Sequence, residues 1–163
     1  MTGILPLDDA LAAFLEGGRS ITLASRDVLL HPFVARAVAC RVAADRRSLV
    51  VLLPRSQALP LFEHLADNGQ LAAVFSEPSS HRTIQLKGHD AHEIAADDDD
   101  QAAASGQLDR LIAELVGLDF DEATLRSCYA CAADDLAAIR FTPAEAYSQT
   151  PGPRAGAPLE RRP

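Results

Sequence analysis

Apolar residues recur along the first half of this chain with two different periods. Leu11, Phe14 and Leu15 keep helical spacing behind Asp8 and Asp9, either of which can cap a helix, and Gly17-Gly18 ends it. The period then changes. Ser20 to Arg26 predicts a strand with Ile21 and Leu23 on one face. Pro32 to Ala44 predicts another, because Phe33, Val34, Val38 and Val42 are strand formers with no turn residue between them. Asp27 to His31 is the hairpin connection, Asp45-Arg46-Arg47 is a polar turn, and Ser48 to Leu53 is a buried strand closed by Pro54. Helical spacing returns from Ser56 to Asp67, through Leu59, Phe62 and Leu65, and Asn68-Gly69 stops it. Pro60 fits that helix only within its first turn. Gln70 to Ser76 and Ser80 to Ala95 read as strands, and in the second Ile84 and Leu86 alternate with Thr83, Gln85 and Lys87.

Helix, three strands, helix and two strands, joined by short turns, imply a mainly antiparallel sheet, curled or closed to protect its edges. The expected class is mainly β with helices (α+β). Beyond it, the four acids Asp97 to Asp100 read as a solvated loop leading into a helix, with helices over Gln107 to Val116 and Glu122 to Ala132. Residues 96–135 thus form a helical insertion, and Leu136 to Phe141 is a last strand rejoining the sheet. Residues 142–163 read as a C-terminal tail, and its Pro/Gly-rich part from Thr150 onward has no regular element.

A chain of 163 residues, 48% of them hydrophobic, is long enough for one domain, residues 1–163, with a real core. Its 15 basic and 23 acidic residues leave a net charge of −8, which argues against a general nucleic-acid binder. The imbalance is local: residues 1–95 carry 9 basic and 10 acidic side chains, residues 96–163 carry 6 and 13. Apolar runs are too short to cross a bilayer, and early acids are unlike a secretory leader, so a cytoplasmic location is expected. Three cysteines make a disulfide framework improbable. Cys128-x-x-Cys131 lacks the second pair that zinc needs, and two buried thiols on one helix face are the plain reading. His89 and His92, three apart in a strand, face opposite sides, so no metal is expected. No P-loop, Ser-His-Asp order or dinucleotide fingerprint is present.

The remaining chemical lead is a set of polar strand residues. Arg36 and Arg41 share one strand, Arg55 and Ser56 follow the next, and Arg82, Thr83, Gln85 and Lys87 lie on a fifth. If those strands neighbour each other, several donors can converge on an anion such as a phosphate. Exposed strand cations that simply face water are the alternative. Arg36 and Arg41 are an odd number of residues apart, so only a bulge lets both serve one face.

The segments SITLASRD, PFVARAVACRVAADRRSLVVLL, LAAVFSEP and HRTIQLKG, with the Arg55-Ser56 helix between them, resemble the pyridoxamine 5′-phosphate oxidase-like FMN-binding split β-barrel family. The resemblance covers roughly residues 7–95, and DDLAAIRFTPAEAYSQTPGPRAG is similar to the ending of uncharacterised members. It implies an antiparallel split β-barrel with a C-terminal helical extension, a homodimer, and FMN in grooves between subunits. Heme, which some split barrels hold, is the alternative cofactor, and a cofactor-free regulatory dimer is a third reading. The implied cofactor set is Arg36, Ala37, Arg41, Arg55, Ser56, Gln57, Arg82, Thr83, Gln85 and Lys87. Arg36 and Arg41 reproduce the family's paired basic residues. Where the family has Ser-Arg-Lys this chain has Arg55-Ser56-Gln57, and where Gln follows the strand's Arg it has Arg82-Thr83 with Gln85 beyond. Residues Gln149 to Arg154 would approach the groove. The activity implied is flavin-dependent oxidation or reduction of a small molecule, with no catalytic residue assigned.

Overall fold

Asp8 accepts a hydrogen bond from Leu11 N at 2.8 Å and so opens α1 (Asp9–Leu15), which lays Phe14 and Leu15 into the core. The computed structural model describes residues 7–159. After α1 come β1 (Ser20–Arg26), β2 (Pro32–Ala37), β3 (Ala39–Val42) and β4 (Leu49–Pro54), then a 3-10 turn (Arg55–Gln57) and α2 (Leu59–Asn68). Next are β5 (Leu71–Ser76), β6 (Thr83–Gly88), β7 (His92–Ile94), α3 (Asp98–Val116) and α4 (Glu122–Cys128). A second 3-10 turn (Ala133–Asp135) leads to β8 (Leu136–Phe141) and β9 (Glu145–Ser148).

The strands form two antiparallel sheets, ordered β2-β1-β5-β6-β9 and β3-β4-β8-β7. Their inner faces meet in one core, where Ile21, Leu23, Phe75 and Leu86 of the first sheet pack with Val51, Leu53, Ile139 and Phe141 of the second. The α+β class expected from the alternation, and the split barrel that the resemblance implies, are the observed architecture. Among the described residues, no helix is long and apolar enough to cross a membrane.

Several boundaries differ from the sequence reading, each for a local reason. The single strand from Pro32 to Ala44 is two, because the chain leaves the five-stranded sheet at Val38, whose N–H donates to Leu52 O at 2.7 Å, and enters the other sheet. The strand from Ser80 to Ala95 likewise divides into β6 and β7. Gly88 stands at that corner because a Cβ there would lie 2.7 Å from Phe141 Cδ2 and 2.9 Å from Thr142 O. The helix expected from Ser56 starts as α2 at Leu59, so Pro60 does fall in its first turn. The stretch read as a tail contains β9, which pairs with β6 through Leu86 and Ala146.

The acidic run is not a loop. Asp97 is the N-cap of α3 and the next three acids are its first turn, so the helix begins well before Gln107. Asp97 accepts from Asp100 N at 2.8 Å, and Asp100 accepts in return from Asp97 N at 3.0 Å, a reciprocal capping box. Negative charge here also meets the positive end of the helix dipole. Helix α4 stops at Cys128, short of Ala132, and packs on α3 through Leu111, Ile112, Leu125 and Tyr129. Since β7 and β8 pair directly, both helices lie in an excursion between neighbouring strands.

Five carboxylates have a pKa below the ordinary carboxylate value, each held ionised by hydrogen bonds: Asp27 to His31, Asp97 to Asp100, Asp121 to Thr124, Asp135 to Ser56 and Glu145 to Tyr147. A depressed folded-state pKa contributes stability that is present above the unfolded value, about 4, and is lost as pH falls through the folded one. The melting temperature should therefore hold from pH 7 to about 5 and fall steadily below about 4. Asp97→Ala should melt below wild type at neutral pH, with the gap closing in acid; a constant gap would remove Asp97 from this account.

Candidate functional site

Two surfaces carry the polar residues singled out from the sequence. The first is the outer face of the five-stranded sheet. Antiparallel register lines up Arg36, Thr22, Val74, Gln85 and Tyr147 across the five strands as one row, with Val34, Ala24, Ala72, Lys87 and Glu145 as the next. Alternation places these side chains away from the core. Thr22 and Arg36 are exposed, Val34 keeps 59% of its surface, and Ala24, Ala72, Val74, Gln85 and Lys87 are half-buried. The middle of the face is thus made of small side chains, apolar except for Thr22, with polar groups towards both edges.

At one edge Lys87 Nζ lies 4.9 Å from the Tyr147 ring centre, and the Tyr147 hydroxyl donates to Glu145. That bond pushes the Tyr147 hydroxyl pKa up and the Glu145 carboxyl pKa down; Lys87 and His89 lower the latter further. Gln149 Nε2 donates to Gln85 Oε1 at 3.3 Å, and Thr83 N donates to Thr150 Oγ1 at 3.0 Å, so the segment after β9 does reach this face. Below it, Ala24, Arg26, Gln70, Ala72, Lys87 and His89 help line a groove of about 240 Å³.

The second surface is a corner where β2 ends and the 3-10 turn after β4 begins. Arg36 donates to the Tyr129 hydroxyl and stacks 4.8 Å from its ring centre. Arg36, Val38, Pro54, Gln57, Cys128, Tyr129 and Ala130 surround a notch of only about 10 Å³, room for about one water. Beside it Ser56 donates to Asp135 twice, from N at 2.9 Å and from Oγ at 2.6 Å.

The sequence-derived set is therefore divided. Arg36 and Gln57 share the notch and Ser56 turns to Asp135, while Thr83, Gln85 and Lys87 share the sheet face with the other edge of Arg36's row. Arg41 belongs to neither: it lies on β3, and its Nη1 donates to Asp97 at 2.8 Å and to the buried Asp100 at 2.7 Å. The break at Val38, rather than a bulge, sends it to the other sheet. Arg55 pairs with Glu93 and stacks 4.8 Å over Phe62. Arg82 turns back over Phe14 at 4.2 Å and leaves the face. Ala37 is fully buried, with its side chain in the core. Tyr129, Asp135 and Tyr147 were not singled out, and only the acidic pair just before the last strand hinted at Asp135.

The cysteines separate as well. Cys40 is buried, its Sγ donates to Leu15 O at 3.2 Å, and burial pushes its thiol pKa far up. Cys131 is half-buried, whereas Cys128 is exposed at the end of α4, so the reading of two buried thiols fails for Cys128. Alkylation of the native protein should modify Cys128 rapidly and Cys40 only after unfolding; peptide mapping of the labelled protein reads this directly.

This fold recurs in solved structures. HupZ of Group A Streptococcus superposes with a TM-score of 0.56 at 11% identity, over 91% of this chain and 98% of that one. A candidate pyridoxamine 5′-phosphate oxidase from Lactobacillus delbrueckii gives 0.52 at 15% identity, over 87% and 93%. This chain has the pyridoxamine 5′-phosphate oxidase-like split-barrel fold. An F420 reductase matches the same split barrel at a TM-score of 0.50 and 17% identity, over 82% of this chain and 93% of that one. No protein-family model and no curated protein matches the sequence. The shared split barrel establishes architecture; its chemistry has to be argued from the two surfaces above.

Proposed function

We propose that this chain is a flavin-binding split barrel that works as a homodimer, an oxidoreductase of the FMN class acting on a small molecule. The observation that carries the reading is the outer sheet face. A patch of small residues, Ala24, Ala72 and Val74 with Thr22, lies across two register rows between Arg36 on one side and Gln85, Lys87 and Tyr147 on the other. A planar ring system suits such a floor, and polar edges suit its carbonyls and ring nitrogens. The groove beside it, about 240 Å³, falls below the roughly 300–1,000 Å³ of a complete small-ligand site. A second copy laid on the same face would supply the missing wall.

The fit differs between the two halves of FMN. The sheet face suits the ring, whereas the notch beside Arg36 and Gln57 holds only about 10 Å³ and the Ser56 donors are paired with Asp135. Flavin supplies hydride and electron transfer when bound. The chain's own part is to bind the ring, orient it through Gln85 and Lys87, and exclude water between subunits.

Titrating purified protein into riboflavin, while following flavin fluorescence, tests the reading. Quenching that saturates at one flavin per chain is expected. An unchanged flavin signal together with a Soret band on addition of heme would replace flavin by heme. Anaerobic reduction of the bound flavin by a nicotinamide or a deazaflavin would then distinguish turnover from storage.

A further inference from the structure

We infer that the groove beside the sheet face binds a small organic carboxylate, held by Arg26, Gln70 and Lys87 over a floor of Ala24 and Ala72. That the acid is also the flavin's substrate rests on the reading above; its binding does not.

The chain is acidic, with 23 acidic residues against 15 basic, yet no Asp or Glu lines this groove, whereas Arg26, Lys87 and His89 all do. Arg19, Arg41, Arg46, Arg55 and Arg126 each pair with a carboxylate. Among the described residues, Arg26 and Lys87 pair with none. Arg26 is held by neutral acceptors instead: Nη1 donates to Asp27 O at 3.1 Å and Nη2 to Gln70 Oε1 at 3.1 Å. The Asp27 carboxylate turns to His31, accepting from its N at 2.8 Å and lying 2.8 Å from its Nδ1. Two of the five guanidinium N–H groups are thus used, which fixes the fork and leaves its charge uncompensated. Asn68 braces the pair, donating to Arg26 O at 2.9 Å and accepting from Gln70 N at 2.9 Å. Arg26 can only donate, so Gln70 offers it the oxygen and keeps its amide N–H groups for the groove.

Lys87 stands on the other wall, beside the Tyr147 ring. Its cross-strand neighbour Glu145 lies outside the lining, where it accepts from the Tyr147 hydroxyl and sits 3.7 Å from His89 Nε2. The lining also selects the kind of anion. Strands β1, β5 and β6 each have a neighbour on both sides, so their backbone N–H groups are taken up by the sheet. Phosphate sites draw on free backbone N–H groups at helix ends or nests, and this floor has none to give. One guanidinium fork, one ammonium and one amide suit a carboxylate. A volume of about 240 Å³ and a floor of two methyl groups admit a compact, flat body behind it.

The experiment follows the melting temperature at neutral pH as sodium benzoate is added, with benzamide as its uncharged analogue. Inorganic phosphate serves as a second anion, and sodium chloride matches the ionic strength. Benzoate should raise the melting temperature saturably, and benzamide and chloride should not. Arg26→Gln and Lys87→Gln should each weaken benzoate binding roughly tenfold or more, and Arg26→Lys, which keeps the charge and loses the fork, should recover only part. No benzoate response in wild type would overturn the inference, as would benzamide matching benzoate or phosphate stabilising more than benzoate. So would an undiminished response in Lys87→Gln, which decides the matter if the Arg26 variants do not fold. Riboflavin titration keeps the two readings apart, because Arg26→Gln should lose benzoate and retain riboflavin. If neither wild type nor variant binds riboflavin, the flavin reading fails, and the benzoate response alone decides the acid site.

Discussion

Replacing Gln107 by Leu is expected to cost roughly 3 kcal/mol of stability, because it strips two buried backbone groups of their partners at once. Gln107 is 4% exposed on α3, facing β3, the edge strand of the four-stranded sheet. Its Oε1 accepts from Cys40 N at 3.0 Å and its Nε2 donates to Cys40 O at 2.6 Å. The side-chain amide thus does for one residue what a further strand would do, and it closes the edge against other chains. Leu fills similar space but leaves a buried N–H and a buried carbonyl unpaired, each worth about 1–3 kcal/mol. For a chain of this size the melting temperature should fall by about 6–12 °C. Gln107→Glu should cost at least as much, since its carboxylate accepts from Cys40 N but sets a buried charge against Cys40 O. A loss below about 1 kcal/mol for Gln107→Leu would mean that solvent or a shifted α3 replaces both bonds. The same contact holds α3 against the barrel, so this variant also reports how firmly the helical excursion is docked.

Val74→Asp is the second large effect, and it concerns assembly instead of folding. Val74 sits mid-row on the outer face, between Thr22 and Gln85, and is half-buried. In a two-fold dimer each substitution appears twice, so two carboxylates would be brought into one apolar patch. Desolvating them without partners costs several kcal/mol, enough to raise the dimer dissociation constant by about a hundredfold or more. Light scattering should find wild type at twice the 17.4 kDa chain mass and the variant as monomer, with an unchanged circular dichroism spectrum. A variant that remains dimeric would place the subunit interface elsewhere.

Much of the barrel was legible because its strands announce themselves locally. Ser20 to Arg26 alternates between Gly and Asp punctuation, and Leu136 to Phe141 is an apolar run after an acidic pair; both have the expected bounds. What stayed hidden is where the chain changes sheets. Around Val38 no Gly or Pro marks the corner, and every residue from Val34 to Cys40 except Arg36 is apolar, so periodicity sees one strand. The odd spacing of Arg36 and Arg41 was the one trace of the break, and it mattered, because it separates the two arginines onto different sheets. The capping box at Asp97 and Asp100 was present as a spacing of three, yet four consecutive acids read as solvent-facing. Gln107 and Tyr129 give no local signal, and Asp135 only that of an acidic pair before β8. Their roles come from contacts made across 67, 93 and 79 residues of sequence.

That last group changes the picture of the site most. The residue types that a phosphate needs are there, but the long excursion between β7 and β8 returns to them and spends them internally. The acidity of residues 96–163 thereby acquires a structural use at Arg41, through Asp97 and Asp100, and at Ser56, through Asp135.

The central claim is that flavin is held by two copies of this chain on their outer sheet faces. Sedimentation of the protein with riboflavin, monitored at the visible absorption band of the flavin, tests it in one measurement. The flavin absorbance should travel with a species of twice 17.4 kDa. Flavin left unsedimented, or moving with a single chain, would contradict it.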